Sequence, residues 1–358
     1  MIRDERFTKA IGNTTRERVL GLRVLHCPSN IAGVPYQYVK GLRRVGVDAR
    51  MLTFDRTKFD FEDDICLHLE REHNKWIKAM RKLKAFLDVA FSYDIFHFHF
   101  GNSLLPRNKD LPILKSLHKR MVMNYWGSDA RAESLAIRRD KYFALTGASG
   151  ESDHKIRKRL RENSRYIDTA VVANRALLEY VHDYFGSVEI VPVAICLSDI
   201  DPVYPSESKE VPVVVHAPSS RDIKGTNYVL EVVQDLRKTR SFEFILVQGL
   251  SHGEAMQIYR RADIVIDQVL LEWYGMFAIE AMALGKPVLS HAREDILPDL
   301  QGLPIVNTNP DRLRSDLDSL TSDATLRREL GIKGRQYVER VHDCRVVASQ
   351  LVTLYKKL

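Results

Sequence analysis

Two glutamates bracket a glycine in the second half of the chain, and their spacing suggests ligand chemistry. Glu272 and Glu280 flank Gly275. A β-branched run at 264–266 predicts a buried strand before them, and an Ala-rich run at 277–284 predicts a short helix. Free N–H groups at such a helix start favour a phosphate or a sugar hydroxyl, and a glycine lets a ligand approach the backbone. A carboxylate one turn inside the helix can accept hydrogen bonds from a vicinal diol such as ribose.

The simpler alternative is that both glutamates are solvated charges near a helix start. Their position around a glycine loop, between a buried strand and an Ala-rich helix, favours a binding role. The stretch resembles the Glu-x7-Glu donor motif of GT-B-fold glycosyltransferases, most closely the retaining family-4 (group 1) enzymes. The resemblance implies that Glu280 holds the ribose of a nucleotide sugar and that Glu272 holds the sugar ring. It also implies that backbone groups of Gly275, Met276 and Phe277 meet the donor.

A pair of cations forms the second candidate feature. Arg221 and Lys224 precede Gly225, after a predicted strand at 213–216 and before a predicted helix at 226–238. Two cations at a helix N-terminus would clamp a diphosphate. The pattern resembles the Arg-x-x-Lys-Gly motif of the same family. It implies that both side chains neutralise the departing nucleotide diphosphate, where negative charge develops.

Two residues in the first half follow predicted strands. Gly33 lies in the turn after a strand at 22–27, and His99 lies at the end of an alternating strand at 94–101. Open α/β sheets bind ligands at the carboxyl ends of their strands. A lone strand histidine is otherwise a buried structural residue, so both interpretations of His99 stay open. The second strand is similar to the family's Asp-Ile-x-His-x-His strand, which implies that Gly33 and His99 close the site from the first domain.

A further motif lies in a turn after the next predicted strand. The family often has His-Gly-Ser-Asp here, facing the acceptor, and this chain keeps Gly127, Ser128 and Asp129 but has Trp126 in place of the histidine. Any role of that histidine is therefore lost. Ser128 and Asp129 are acceptor-side candidates, and the alternative is that they cap the helix that follows.

The elements that must position these residues alternate between strands and helices, which predicts an α/β fold with parallel sheets. The length of 358 residues suits two domains. By resemblance we expect GT-B architecture, with two Rossmann-like doubly wound domains facing each other across a cleft. The expected parts are an N-terminal acceptor-side domain at 1–195, a linker at 196–212, a nucleotide-sugar donor domain at 213–337 and a C-terminal helix at 338–358 that crosses back to the N-terminal domain.

The charge of the chain is unevenly distributed. Residues 1–170 carry 33 Lys+Arg against 21 Asp+Glu, whereas the remainder carries 21 against 26. A basic first half indicates an anionic partner, such as a lipid surface or a phosphorylated acceptor. Nucleic acid is disfavoured because the basic segments lack interleaved aromatic residues and any known motif.

Three absences bear on localisation. No apolar run is long enough to span a membrane, the N-terminus lacks a signal-peptide pattern, and the four cysteines have no paired or metal-ligand spacing. We therefore expect a cytoplasmic protein, either free or peripheral at the inner face of the membrane.

Residues 75–91 predict an amphipathic helix. Trp76, Met80, Leu83 and Leu87 share one face at helical spacing, and basic residues fill much of the remainder. One interpretation is a surface helix that packs its apolar face on the sheet. The other is peripheral contact with an anionic membrane.

The sequence as a whole predicts a glycosyltransferase that moves a sugar from a nucleotide diphosphate sugar to a glycan, lipid-linked or other hydroxyl acceptor, as in polysaccharide biosynthesis. A UDP-sugar is favoured and a GDP-sugar is the alternative. The resemblance implies retention of anomeric configuration, no essential metal and no cofactor beyond the donor substrate. No acidic pair has a claim to glycosidase chemistry. The alternatives are a sugar-nucleotide epimerase of similar fold and a catalytically silent nucleotide-sugar-binding protein.

Overall fold

The computed structural model describes residues 21–56, 59, 61–147, 150–299 and 302–358. Residues 1–20 of the expected N-terminal domain lie outside the described residues. The chain divides into two compact units, and each is described by itself.

The two units differ in outline from the expected domains. The first comprises the described residues up to Ala130 with His154–Ala194 and Cys344–Leu358, and the second comprises Arg131–Asp153 and Ile195–Asp343. Residues 131–153 were expected in the first domain but belong to the second unit. Their membership of the second unit depends on side-chain contacts made far away in sequence, which are described below.

The first unit is built on a parallel sheet of seven strands in the order β3-β2-β1-β4-β5-β6-β7. The strands are β1 Arg23–Cys27, β2 Asp48–Thr53, β3 Ile65–Cys66, β4 Ile95–His99, β5 Arg120–Tyr125, β6 Thr169–Val172 and β7 Ser187–Ile190. The strand order reverses between β1 and β4. All five residues of β4 are buried, as expected of a parallel sheet with both faces covered.

The second unit is built on a parallel sheet of five strands in the order β12-β11-β10-β8-β9. The strands are β8 Val213–His216, β9 Glu243–Leu246, β10 Ile264–Ile266, β11 Val288–Ser290 and β12 Val306–Asn307. The strand order reverses between β8 and β10. The prediction of two doubly wound, parallel-sheet α/β domains is confirmed.

Helices connect the strands in both units, and short 3-10 turns lie between them. In chain order the α-helices are α1 Val34–Arg44, α2 Lys75–Ala90, α3 Leu111–Ser116, α4 Glu133–Arg139, α5 Asp153–Ser164, α6 Arg175–Val181, α7 Arg221–Lys224, α8 Thr226–Leu236, α9 His252–Arg261, α10 Met276–Ala283, α11 Leu313–Ser322, α12 Ala324–Val341 and α13 Cys344–Lys357. The 3-10 turns are Ile31–Gly33, Leu69–Arg71, Pro106–Asn108, Phe143–Thr146, Leu197–Asp199 and Glu294–Asp299.

The C-terminal helix α13 packs on α1 within the first unit. A Cβ atom at Gly41 of α1 would lie 2.1 Å from the Cys344 carbonyl oxygen at the start of α13. A side chain cannot fit there, so the glycine is required by the close approach of the two helices. This packing carries Tyr355 of α13 to the sheet, where it is fully buried.

The amphipathic helix α2 presents part of its apolar surface to solvent. Its buried residues are Ala85, Phe86, Val89 and Ala90. The predicted stripe is instead exposed, with Trp76 82%, Met80 62%, Leu83 39% and Leu87 55% exposed. The interpretation that this stripe packs on the sheet is therefore wrong, because other residues of the C-terminal half of the helix make that contact.

Two further findings concern localisation. Among the described residues, no helix is long and apolar enough to cross a membrane. Cys27 and Cys66 are free thiols, whereas Cys196 and Cys344 are disulfide-bonded. The cysteine spacing in the sequence did not indicate this difference between the two pairs of cysteines.

Candidate active site

The candidate site of the second unit lies where its strand order reverses. The segments that follow β8 and β10 leave the carboxyl ends of adjacent strands, which is where open α/β sheets bind ligands. The first segment contains α7 and Gly225, and the second runs from Asp267 to Gly275. The backbone joins the two, because Val269 N–H donates to the Lys224 carbonyl oxygen at 3.3 Å.

Lys224 lies inside this crevice and is already partnered. Its Nζ is 3.0 Å from Asp267 Oδ1 and also donates to Gln268 Oε1. The Asp267 side chain is fully buried and that of Lys224 is 13% exposed. The lysine charge is therefore held at the carboxyl end of β10 before any ligand arrives.

Arg221 contacts a different element from Lys224. It is exposed, and its Nη1 lies 3.4 Å from Gln248 Oε1, just beyond β9. It also lines a pocket of about 360 Å³ with Leu145, Tyr228 and Leu270. The two members of the expected cation clamp thus have different partners. They lie in the short helix α7 rather than in the loop that the sequence predicted.

Gly275 approaches the Lys224–Asp267 pair closely. Its N–H donates to Asp267 Oδ2 at 2.6 Å. A Cβ atom at this position would lie 2.9 Å from Lys224 Nζ and 3.0 Å from Asp267 Oδ2. The glycine N–H that was expected to face a phosphate is therefore engaged by Asp267. Gly275 is the N-cap of α10 and provides no side chain there, so the next amides, of Met276 and Phe277, begin the helix.

Glu280 lies one turn inside α10 and is buried. His252, at the start of α9, brings Nε2 to 2.6 Å from Glu280 Oε1. The hydrogen bond to Glu280 raises the pKa of His252, which favours the imidazolium. This contact orients the carboxylate and engages one of its two oxygens.

An aromatic pair packs beside this carboxylate. The rings of Tyr259 and Phe277 have centroids 4.5 Å apart. Burial raises the pKa of Tyr259, and the nearby carboxylates of Glu280 and Asp267 add to that effect. The rings of Tyr259 and Phe277 thus pack beside the first turn of α10, near the carboxylates of Glu280 and Asp267.

Glu272 is fully buried and does not face an open surface. Arg131 Nε donates to its Oε1 at 2.8 Å, and Arg293 Nη1 donates to its Oε2 at 3.4 Å. Two guanidinium groups thus contact both oxygens, an arrangement that holds the loop before α10. Both carboxylate oxygens of Glu272 are thus engaged within the second unit, and its contact with a sugar ring stays a prediction.

A second buried pair ties residues 131–153 to the same region. His291 Nε2 lies 2.7 Å from Asp140 Oδ2, and His291 N–H donates to the Gln268 carbonyl oxygen at 2.7 Å. The ring of Tyr142 meets His291 edge-on, with centroids 5.1 Å apart. These contacts, with the Arg131–Glu272 pair, explain why this segment belongs to the second unit.

Sequence reasoning missed several residues of this region. The clearest are Asp267 and Gln268, which directly follow the apolar run of β10. Polar residues at a strand's carboxyl end are a signal that could have found them. His252, Arg131 and Arg293 carry no such local signal.

Of the first-unit candidates, Gly33 follows β1 and His99 is the last residue of β4, and the sheet reverses its order between these two strands. Gly33 has φ +74° and is the N-cap of α1. A Cβ atom there would lie 2.8 Å from the Phe61 ring, so both conformation and space require glycine. His99 is fully buried, and its Nε2 lies 3.0 Å from His26 Nδ1.

Asp129 and Ser128 occupy different surroundings. Asp129 is buried, and its Oδ1 accepts the N–H groups of Trp126 at 2.9 Å and Gly127 at 2.8 Å. Burial raises the pKa of its carboxyl. Ser128 is exposed. The N-cap of α4 is Ala132, without a side-chain cap, so neither residue caps that helix as the alternative required. Asp129 instead closes the turn that precedes it.

The described residues were also compared with the requirements of a metal site. Within the part of the chain that the structure describes, no group of three or more His, Cys, Asp or Glu side chains is placed to hold a metal ion.

Comparison with known proteins agrees with this architecture. Residues 241–337 match the family of glycosyl transferases group 1. An uncharacterized glycosyltransferase of Methanocaldococcus jannaschii is 22% identical over 351 residues, which cover 85% of this chain and 91% of that protein. An MMP alpha-(1->4)-mannosyltransferase of Mycolicibacterium hassiacum is 26% identical over 176 residues, which cover 40% of this chain and 43% of that enzyme. The latter match therefore spans less than half of the mannosyltransferase.

Solved structures show the same fold at low sequence identity. Sucrose-phosphate synthase from Thermosynechococcus elongatus has a TM-score of 0.62 at 16% identity, with 94% of this chain and 98% of that chain covered. The matched family segment contains β9, β10, α9 and α10, and so includes Glu280, His252 and the Asp267–Gly275 loop. Residues 241–337 thus match the family of glycosyl transferases group 1, and the two Rossmann-like units of the chain have the GT-B fold of its structural neighbours.

Proposed function

We propose that this protein transfers a sugar from a nucleotide diphosphate sugar to a hydroxyl acceptor. The observation that carries the proposal is the convergence of Lys224, the start of α10 and the Glu280 carboxylate at the point where the second sheet reverses its order. A lysine and a helix N-terminus suit a diphosphate, and a carboxylate one turn further suits the adjacent ribose diol.

The diphosphate would be stabilised most as it leaves. Negative charge develops on the leaving oxygen during transfer, and preorganised positive groups lower the energy of that state. Lys224 is held in place by Asp267 and Gln268, so little reorganisation is needed. Arg221 lies on the exposed side of α7, and we assign it the outer part of the diphosphate.

Glu280 is assigned to the ribose of the donor. His252 fixes one carboxylate oxygen at 2.6 Å, which orients the other for a sugar diol. The proposal gives Glu272 a positioning role, because its ion pairs with Arg131 and Arg293 fix the loop before α10. Contact of Gly33 and His99 with the donor, and of Ser128 and Asp129 with the acceptor, stay predictions.

The finer chemistry of the reaction is proposed from the family resemblance. We favour a UDP-sugar as donor, with a GDP-sugar as the alternative, retention of anomeric configuration and no requirement for a metal ion. A glycan or a lipid-linked molecule is proposed as acceptor. A lipid-linked acceptor suits the exposed apolar stripe of α2, which carries basic residues on the same helix.

A calorimetric panel of UDP, GDP, ADP, CMP and their common sugar conjugates tests the proposal. We expect selective binding of one diphosphate family and a loss of about 10- to 100-fold in affinity in Glu280→Gln, since a hydrogen bond to a charged group is removed. Glu329→Gln, at an exposed glutamate of α12, is the matched control and should bind as wild type does.

Three outcomes distinguish the candidate functions. Release of nucleoside diphosphate only when an acceptor is present supports transfer. Conversion of one nucleotide sugar into another without an acceptor would identify an epimerase, and tight binding without any turnover would identify a silent binding protein. Failure of every nucleotide in the panel to bind would contradict the proposal.

A further inference from the structure

Arg131 begins the segment 131–153 of the second unit, and its guanidinium contacts the loop before α10. Its Nε donates to Glu272 Oε1 at 2.8 Å. The guanidinium also lies over the ring of Phe143, with 5.8 Å between Cζ and the ring centroid. The Glu272 side chain is fully buried, whereas that of Arg131 is 14% exposed. At this part of the loop, a ligand therefore meets a guanidinium where the sequence suggested a carboxylate.

The guanidinium of Arg131 keeps donors that the protein does not use. Its Nε is bonded to Glu272, and neither Nη1 nor Nη2 has an acceptor among the residues that the structure describes. Neither Nη atom is fully enclosed, so both keep contact with solvent. The N–H donors of these two groups are therefore available to a ligand.

The neighbouring Arg293 differs from Arg131 in this respect. Its Nη1 lies 3.4 Å from Glu272 Oε2, and its Nε and Nη2 donate to the two carboxylate oxygens of Asp295 at 2.7 and 2.9 Å. All three of its guanidinium nitrogens thus have acceptors within the protein. Arg293 holds the loop, and Arg131 is the arginine of this pair that can also bind a ligand.

The protein holds the Arg131 guanidinium in one position before any ligand arrives. A buried carboxylate bonds its Nε, an aromatic ring lies beside it, and most of the side chain is enclosed. A freely exposed arginine loses rotamer freedom when it binds a ligand, whereas this side chain has already lost it on folding. Nη1 and Nη2 therefore form a preorganised fork.

The unused donors define the chemical class of the group that binds. A guanidinium has N–H donors and no acceptor, and its planar fork matches the two oxygens of a carboxylate or a phosphate. A neutral hydroxyl offers a single oxygen and no charge, so it would satisfy the fork less well. The fork therefore suits an oxyanion.

The fork is close to the proposed donor site and belongs to the same unit. Glu272 precedes Gly275, the N-cap of α10, by three residues, and three residues span at most about 11 Å. The diphosphate of the donor is assigned to the start of α10. The groups that lie beyond the diphosphate are the transferred sugar and the acceptor, and both are within reach of Arg131.

We propose that Arg131 is a specificity-determining residue that binds an oxyanion of the substrate, either a carboxylate or a phosphate group, carried by the transferred sugar or by the acceptor. The inference rests on the proposed function, because that function places the donor at the start of α10. It adds a substrate class, namely acidic sugars or acidic acceptors, that neither Lys224 nor Glu280 specifies.

Pairs of ligands that differ in one acidic group test the proposal on the intact protein. UDP-glucuronate is compared with UDP-glucose by calorimetry, or GDP-mannuronate with GDP-mannose if the protein selects GDP. Glucuronate and glucose 6-phosphate are each compared with glucose by titration in the presence of saturating nucleoside diphosphate. We expect the acidic member to bind about tenfold or more tightly in at least one comparison, since charge-assisted hydrogen bonds are gained.

The two sets of ligands distinguish the sources of the oxyanion. Preference for the acidic nucleotide sugar would place the oxyanion on the transferred sugar. Preference for glucuronate or glucose 6-phosphate would place it on the acceptor. Equal binding of acidic and neutral ligands in every comparison would overturn the proposal.

Arg131→Lys tests whether this arginine causes the preference. Lysine keeps a positive charge beside Glu272 but lacks the planar fork, so the preference for the acidic ligand should fall about tenfold while the affinity for the nucleoside diphosphate changes by less than about twofold. Arg138→Lys, the same substitution at an exposed arginine of α4, is the matched control and should keep the preference. An unchanged preference in a folded Arg131→Lys protein would contradict the role of Arg131.

The comparison within the intact protein decides the proposal even if Arg131→Lys does not fold. Equal binding of acidic and neutral ligands overturns this inference and leaves the donor site in place, as long as a nucleotide binds. Failure of every nucleotide to bind would instead contradict the proposed function, and this inference with it.

Discussion

Gly275 shows how a single missing side chain shapes the candidate donor site. Lys224 Nζ and Asp267 Oδ2 occupy the space that a Cβ atom would need, at 2.9 and 3.0 Å. The backbone at Gly275 has φ −97°, which any residue adopts. The requirement for glycine therefore comes from close approach and not from backbone conformation.

Gly275→Ala should displace the Lys224–Asp267 pair. We expect a loss of about 1–3 kcal/mol in the free energy of unfolding, because both atoms that must move are held by hydrogen bonds. Donor affinity should fall by about tenfold or more, since the lysine charge shifts away from the diphosphate. Chemical denaturation and calorimetry measure the two effects.

Gly253→Ala is the control for this substitution. Gly253 lies in α9, and a Cβ atom at this position would have open space around it, with no neighbouring atom within 4 Å. Alanine should therefore be neutral or stabilise the protein by up to about 1 kcal/mol. Equal stability and equal donor affinity of Gly275→Ala and Gly253→Ala would contradict the conclusion that close approach requires a glycine at position 275.

The His252–Glu280 pair predicts a pH dependence of stability. The folded protein raises the pKa of His252 above the ordinary value of 6.5 through its bond to Glu280. The pair therefore contributes fully below that value and loses its contribution as the pH rises through the folded pKa. The melting temperature of wild type relative to His252→Gln should decrease between about pH 6 and about pH 9. The contribution to the free energy of unfolding is at most about 1 kcal/mol, because the His252 side chain is 39% exposed to solvent.

His154→Gln, at an exposed histidine of α5, is the matched control. The difference between its melting temperature and that of wild type should stay constant between about pH 6 and about pH 9. If the melting temperature of wild type relative to His252→Gln increased with pH, the stabilising role of the His252–Glu280 hydrogen bond would be contradicted.

Helix α2 shows that sequence periodicity predicts an element without fixing which face it buries. The 3–4 spacing of Trp76, Met80, Leu83 and Leu87 correctly indicated an amphipathic helix. The buried contact is made by Ala85, Phe86, Val89 and Ala90 instead. Spacing alone cannot distinguish the two sets, because both are apolar and recur at helical intervals.

The exposed stripe of α2 predicts binding to anionic lipid. Replacing Trp76, Met80 and Leu87 with serine should reduce pelleting with vesicles of anionic phospholipid by severalfold, since these side chains would insert below the headgroups. Replacing Lys75, Lys78 and Arg81 with glutamine should reduce it further at low salt.

The control for the apolar substitutions is Val211→Ser, at an exposed apolar residue of the second unit. It should leave pelleting unchanged. If the intact protein does not pellet at physiological salt, the membrane proposal is wrong.

At the scale of the whole molecule, the sequence predicted the fold correctly but predicted few of the side-chain contacts. Alternation of strands and helices indicated two doubly wound sheets. Gly33, Lys224 and Gly275 follow strands at a reversal of strand order, and His99 ends such a strand. Local pattern is sufficient for such placements because parallel strands share one carboxyl edge.

Contacts between distant residues were beyond the reach of local pattern. Arg131 and Glu272 are 141 residues apart, and nothing in either segment indicates that they meet. The same holds for Tyr355 and His26, which are 329 residues apart. The Arg131 contact gives Glu272 a buried ion-pair partner, and it ties the start of the segment 131–153 to the second unit.

The most direct test of the donor site is hydrogen–deuterium exchange with and without the nucleotide sugar that binds best. The account predicts slower exchange in residues 217–225 and in the first turn of α10, at 275–280, because the diphosphate and ribose engage these segments. Exchange in β12 should not change. Unaltered exchange in both segments when the donor is bound, or failure of any nucleotide sugar to bind, would contradict the assignment of the donor site to the reversal point of the second sheet.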